Sequence, residues 1–185
     1  MKSLRSLLDG MPQNSKLKLD RIKEKYQLQL LQIQDLLAAQ EIAVQYTEAT
    51  DEEAVDTLTL PIPDSDGLYL LIAFLELPAR EYTALDLLQI HATLPTELAL
   101  AHLSEIYLFI SQVNNELPFG SLCMVRETVC LRHIVPVARF ELLSSDMLLD
   151  VLNLFIHVLG VVEAVIHRLN IGEIDHQQAL GELLK

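Results

Sequence analysis

Residues 151–162 read VLNLFIHVLGVV. Twelve positions in a row carry no charge, and only Asn153 and His157 are polar, in a chain whose formal net charge is −13. On a helix these side chains cover the whole circumference, and a helix that is apolar all round has to be buried all round. That demand calls for a layered fold. One side of the helix lies on a sheet through Leu152, Phe155, Ile156 and Leu159. The opposite side, with Leu154, Val158, Val161 and Val165, needs its own cover, from another helix of the chain or from a neighbouring protein. Burying those four contributes about 6–12 kcal/mol before the entropy of association is counted. The run is about 18 Å long at ~1.5 Å per residue, short of the roughly 18–20 residues needed to span a bilayer.

The rest of the chain supplies the layers. Leu19, Ile22, Tyr26, Leu30, Ile33 and Leu37 form one helical stripe, predicting a helix over about 15–39 capped by Asn14 or Ser15. Residues 1–10 read as a turn or two of helix stopped by DGMP. The period then drops to two in Ile42, Val44 and Tyr46, and again in Leu58, Leu60 and Ile62. LYLLIAFLEL (68–77) is apolar on both faces and reads as a central strand covered on both sides. In 84–94, Leu88, Ile90, Ala92 and Leu94 point inward and Gln89, His91 and Thr93 outward. Thr96 is placed to cap a helix carrying Leu103, Ile106, Ile110 and Val113. SLCMVRE and VCLRHIVPVA are close enough to form a hairpin, and SSD (144–146) caps a last long helix closed by NIG (170–172). HQQALGELLK adds a short helix. The expectation is an α+β fold: an antiparallel β-sheet of five to six strands flanked by three main helices, in the order α-β-β-β-β-α-β-β-α. Residues 1–39 form a basic amphipathic segment and 40–185 the α+β domain.

Charge is unevenly spread. Residues 1–25 hold seven basic and three acidic side chains, whereas the other 160 hold six basic and 23 acidic. A body that negative repels phosphate backbones and anionic lipid, so nucleic acid is excluded as a partner and a membrane surface is disfavoured. The basic segment either docks its apolar stripe on the domain, pairs with an acidic body, its own or a twin's, or lies on lipid. MKSLRSLLDG has no sustained apolar core of the kind a secretion signal needs, and two cysteines are too few for a disulfide scaffold. The expected location is the cytoplasm.

FISQVNNELPFGSLCMVRETVCLRHIVPVARFELLSSDMLLDVLNLFIHVLGVVEAVIHRL (109–169) resembles the C-terminal half of YbjN-like domains, of the type III secretion chaperone-like fold. The resemblance rests on a helix ending in Asn114 and Asn115, then Leu117, Pro118 and Gly120, a hairpin, and a long apolar helix. The element order agrees over about 130 residues. It implies a dimeric, non-catalytic protein that binds other proteins, with no catalytic motif to carry over; no cofactor is expected.

No chemistry-bearing motif competes with that reading. Glu163 and His167 lie one turn apart, but a metal needs three or four ligands, so no metal site is expected, and His157 reads as a core or interface side chain. The carboxylates of EATDEEAVD (48–56) read as a solvated edge, and neither a nucleophile elbow nor a phosphate loop is present. With Arg126-Glu127 at the hairpin tip, Cys123 stands opposite Cys130, as reduced thiols. In that register Cys123, Val125, Cys130 and Ile134 share one face, and Leu122, Met124, Val129, Leu131 and Val135 the other. Both faces are apolar, so either helices cover both or one face meets a second subunit or a client. The expected function is a chaperone-like or adaptor homodimer that holds a partner protein. Cys123, Val125, Cys130 and Ile134 on the sheet and Leu154, Val158, Val161 and Val165 on the helix do the holding, with no catalytic residue. The alternative is a small-ligand binder or enzyme with a pocket between sheet and helices.

Overall fold

A computed structural model describes residues 13–50, 55–63, 65, 67–75, 85–125, 127–138 and 144–184. In chain order its elements are α1 (Gln13–Ala39), β1 (Gln45–Thr47), β2 (Thr57–Pro61), β3 (Tyr69–Phe74) and β4 (Leu85–Thr93), then a 3-10 turn at Leu100–His102 and α2 (Leu103–Glu116). β5 (Ser121–Val125), β6 (Thr128–Ala138), α3 (Ser145–Asn170) and α4 (His176–Leu183) follow. The six strands form one antiparallel sheet in the order β1-β2-β3-β4-β6-β5. The chain is α+β, with three main helices and the short α4. The turn expected at 1–10 and the acidic stretch 51–54 lie outside the described residues.

The alternation of each strand sends one set of side chains into a single core. Leu58, Leu60, Leu70, Ile72, Phe74, Leu88, Ile90, Ala92, Leu122, Val129, Leu131, Val135 and Val137 face the helices. Against them lie Tyr26, Leu30, Ile33 and Leu37 of α1, Ile106, Phe109, Ile110 and Val113 of α2, and the sheet side of α3. The second half of α1 thus belongs to the same core as the strands. It ends in paired bonds from Ile42 N–H to the Leu37 carbonyl and from Glu41 N–H to that of Ala38. This closure places Glu41 at φ 60, where glycine is the usual residue.

Side-chain amides lock the layers together. Asn114 of α2 accepts from Leu122 N–H and donates to the Leu122 carbonyl, both at 2.8 Å, and so occupies the outer edge of β5 at that residue. Asn170, at the end of α3, accepts from Ala99 N–H at 2.7 Å and donates to the Glu97 carbonyl at 2.9 Å. That clamp holds 97–99 in extended form, which is why α2 starts at Leu103 and not beside Thr96. α3 closes at Gly172, with φ +71, where an added Cβ would lie 2.7 Å from the His102 ring. Lys25 and Tyr26 of α1 meet the buried Asp86 of β4; the Tyr26 hydroxyl donates to Oδ1 at 3.0 Å.

Other boundaries hold more closely. α3 begins with Ser144 accepting from Met147 N–H, as the SSD cluster predicts. Only Gln45–Thr47 of the alternating 42–47 run pairs with β2; Ile42 and Val44 pack on the core without a strand partner. The twelve-residue run is short for a membrane, but α3 as a whole has 26 residues and is long and apolar enough, by length and composition, to cross one. Eight of its apolar side chains are nonetheless spent on the core.

Candidate functional site

The hairpin forms in the expected register, with Cys123 opposite Cys130 and Leu122 opposite Leu131. The two faces separate as the alternation predicts. Leu122, Val129, Leu131 and Val135 are buried under the helices, while Val125 and Ile134 point the other way and are 54% and 37% exposed. Following this outward face across the sheet, Leu71 stands beside His91, His91 beside Arg132, and Arg132 beside Ser121. The next row sets Ala73, Gln89 and Ile134 side by side, and the next sets Leu87 beside Pro136. Tyr69 and Leu85 lie on it too, 51% and 44% exposed.

Among the described residues no helix packs on this face. β3, expected to be covered on both sides, is covered on one: Leu70, Ile72 and Phe74 are buried in the core, and Tyr69 and Leu71 look outward. The outward strand residues include no Asp or Glu, although 26 of the 185 residues are acidic. Arg132 is their one fixed charge. At the rim, Tyr69, Leu71, Thr93 and Pro95 border a shallow hollow of about 370 Å³.

The helix residues expected to hold a partner lie apart from this face. α3 lies on the opposite side of the sheet, so Leu154, Val158 and Val161 form a separate strip on the helical layer. Leu154 is exposed, Val158 and Val161 are half-buried, and Val165 is 4% exposed and belongs to the core. Ile156, expected on the sheet, is instead outside, and so is His157. On the sheet face Cys130 is buried, its sulfur 3.6 Å from the Thr93 hydroxyl, and it offers a partner no area. Sequence reasoning missed Tyr69, Leu71, Leu85, Leu87 and Pro136. The signal was present in the two-sided apolarity of 68–77, which an uncovered sticky face produces as readily as a doubly covered strand.

Burial governs the electrostatics of the sheet's titratable groups. Burial, and then the neighbouring Cys130, push the Cys123 thiol up, which disfavours the nucleophilic thiolate. Burial first, and then the Arg132 charge, lower His91. Burial also lowers His133, on the core side, where its ring stacks on Phe119 at 3.8 Å. Among the described residues no group of three or more His, Cys, Asp or Glu could hold a metal ion. A second concavity, about 320 Å³ and mostly apolar, lies between α1 and the sheet beside Gln29, Ile33, Leu36, Phe74, Val137 and Leu148.

The two depressed histidines make stability depend on pH. Each binds its proton more weakly folded than unfolded, so its contribution is complete above the ordinary value of about 6.5 and is lost as pH falls through the lower folded value. Urea unfolding is expected to show stability declining from pH 8 toward pH 5 with a component that disappears in His91→Gln/His133→Gln. An unchanged pH profile in that variant would assign the loss to other groups. No family model matches the chain, and no curated protein matches it.

Proposed function

We propose that this chain is a non-enzymatic protein-binding module of the chaperone-like or adaptor kind, working in the cytoplasm through the sheet face on which no described helix packs. One observation carries the reading: a six-stranded sheet has all its described helices on one side and apolar side chains such as Tyr69, Leu71, Leu85 and Ile134 on the other. Large apolar side chains grouped on one exposed sheet face, among polar ones such as Gln89, His91 and Arg132, support a place where another chain sits. The resemblance of 109–169 to YbjN-like domains points the same way. A photo-reactive amino acid at position 134 tests it in living cells. Protein adducts, its own copy included, would be expected at 134 and lacking at an exposed control on the acidic surface such as Glu116. Absence of any protein adduct at 134 would end the proposal.

The concavity beside Ile33 and Leu36 supports a second reading, a small apolar ligand, since its volume is at the lower limit of ligand pockets. Native mass spectrometry of the purified protein separates the two: a retained small molecule lost in Leu36→Trp would favour the ligand.

A further inference from the structure

We infer that Cys123 and Cys130 form a reversible redox site: the two thiols close to an intramolecular disulfide on meeting a low-molecular-weight disulfide such as oxidised glutathione, and reopen when the reduced thiol is in excess. The chain has two cysteines in 185 residues, and they face each other on one rung of the β5–β6 hairpin. The type of rung follows from Asn114. It takes both the amide and the carbonyl of Leu122, so those groups point away from β6. Directions alternate along an antiparallel strand, so Cys123 turns its own amide and carbonyl toward β6 and exchanges both bonds with Cys130. The Cα atoms on such a rung are about 5.5 Å apart, inside the ~4.4–6.8 Å that a disulfide spans. Their Cβ atoms stand about 5.5 Å apart, whereas a bridge needs about 3.8 Å. The bridge is therefore within reach but draws the strands together, and a disulfide closed against strain is the easily reduced kind. As a staple it adds little, because six residues separate the two cysteines and the hairpin already closes that loop.

Exposure sets the order of events. Cys130 is 3% exposed, whereas Cys123 is half-buried on the face where no described helix packs. Cys123 is thus the thiol that a small disulfide can reach, and Cys130 the one already beside it. Burial holds the Cys123 thiol up, and Arg132, its diagonal neighbour on the same face, opposes this by favouring the thiolate. The Cys123 thiolate attacks one sulfur of the small disulfide. A mixed disulfide forms, the small S–S bond breaks, and one small thiolate leaves and takes up a proton. The Cys130 thiolate then attacks the Cys123 sulfur. The Cys123–Cys130 bond forms, the mixed disulfide breaks, and the second small thiolate leaves and is protonated. The two protein thiols give up two electrons and two protons, and the small disulfide takes up both and becomes two thiols.

The test is mass spectrometry of the purified full chain after incubation with mixtures of oxidised and reduced glutathione, followed by unfolding in an alkylating agent. With the oxidised form in excess, the wild-type chain is expected to lose two hydrogens and take up no alkyl group, at the mass of a single chain. Excess reduced glutathione should then restore two alkylatable thiols. Cys130→Ser should stop with one glutathione held on Cys123. Cys123→Ser should take up glutathione about tenfold or more slowly than Cys130→Ser, since its remaining thiol is buried. A wild-type chain that stays doubly alkylated, one that keeps glutathione without closing, one that bridges to another chain, or a bridge that excess reduced glutathione leaves intact each overturns the site. Those four readings need the wild-type chain alone, so a variant that misfolds leaves the test standing.

Discussion

Replacing Asp86 with alanine is expected to lower the unfolding free energy by about 2–3 kcal/mol. Asp86 lies on the core face of β4 and is 4% exposed. Its two oxygens receive Lys25 and the Tyr26 hydroxyl, consecutive residues of α1, and the Tyr26 ring stacks on Phe74 with centroids 4.6 Å apart. One carboxylate therefore fixes where α1 crosses the sheet. Removing one partner of a buried ion pair costs ~3–5 kcal/mol because the other charge stays in place. The Lys25 side chain keeps 31% exposure, so water carries part of that load and the lower range applies. Tyr26→Phe keeps the stack and loses one hydrogen bond, at about 1 kcal/mol. The two substitutions share a partner and should cost less together than their sum. Urea denaturation of the single and double variants measures all three. A loss under ~0.5 kcal/mol for Asp86→Ala, the range of ordinary surface changes, would mean that the apolar stripe alone holds α1.

The places where the sequence was informative share a cause. The periods were unambiguous wherever an element has one buried side, as in Ile22, Tyr26, Leu30, Ile33 and Leu37 or in Leu88, Ile90 and Ala92, and there both the element and its inward face follow. The hairpin register followed from a two-residue tip, which fixes every pairing above it. What stayed hidden depends on contacts distant in sequence. The late start of α2 is imposed by Asn170, 71 positions after Ala99. Asp86 reads as one polar residue in a strand, and its role exists only once α1 has docked. The site was legible in part: the face of Cys123, Val125 and Ile134 was separable from periodicity alone. That β3 and β4 enlarge this face, while α3 stands on the other side of the sheet, depends on strand order, and no local pattern encodes that.

Phe155→Ala is expected to cost about 3–5 kcal/mol and its neighbour Leu154→Ala less than about 1 kcal/mol. Phe155 is fully buried in the core, and its loss leaves a cavity that a sheet and two other helices are too well packed to fill. Leu154 points off the same helix into the outer strip and is 44% exposed. The oily stretch 151–162 therefore has two unequal sides: one holds the domain together, and the other belongs to a helix whose composition asks for more cover than the described residues supply. A side chain that already stands in water has little burial to lose, so the small cost at Leu154 should not vary with protein concentration. The reverse result is equally readable. A loss above ~2 kcal/mol at Leu154 that grows as the protein is concentrated would mean that burial there depends on association. The outer strip of α3 would then itself be a contact surface between copies of the chain.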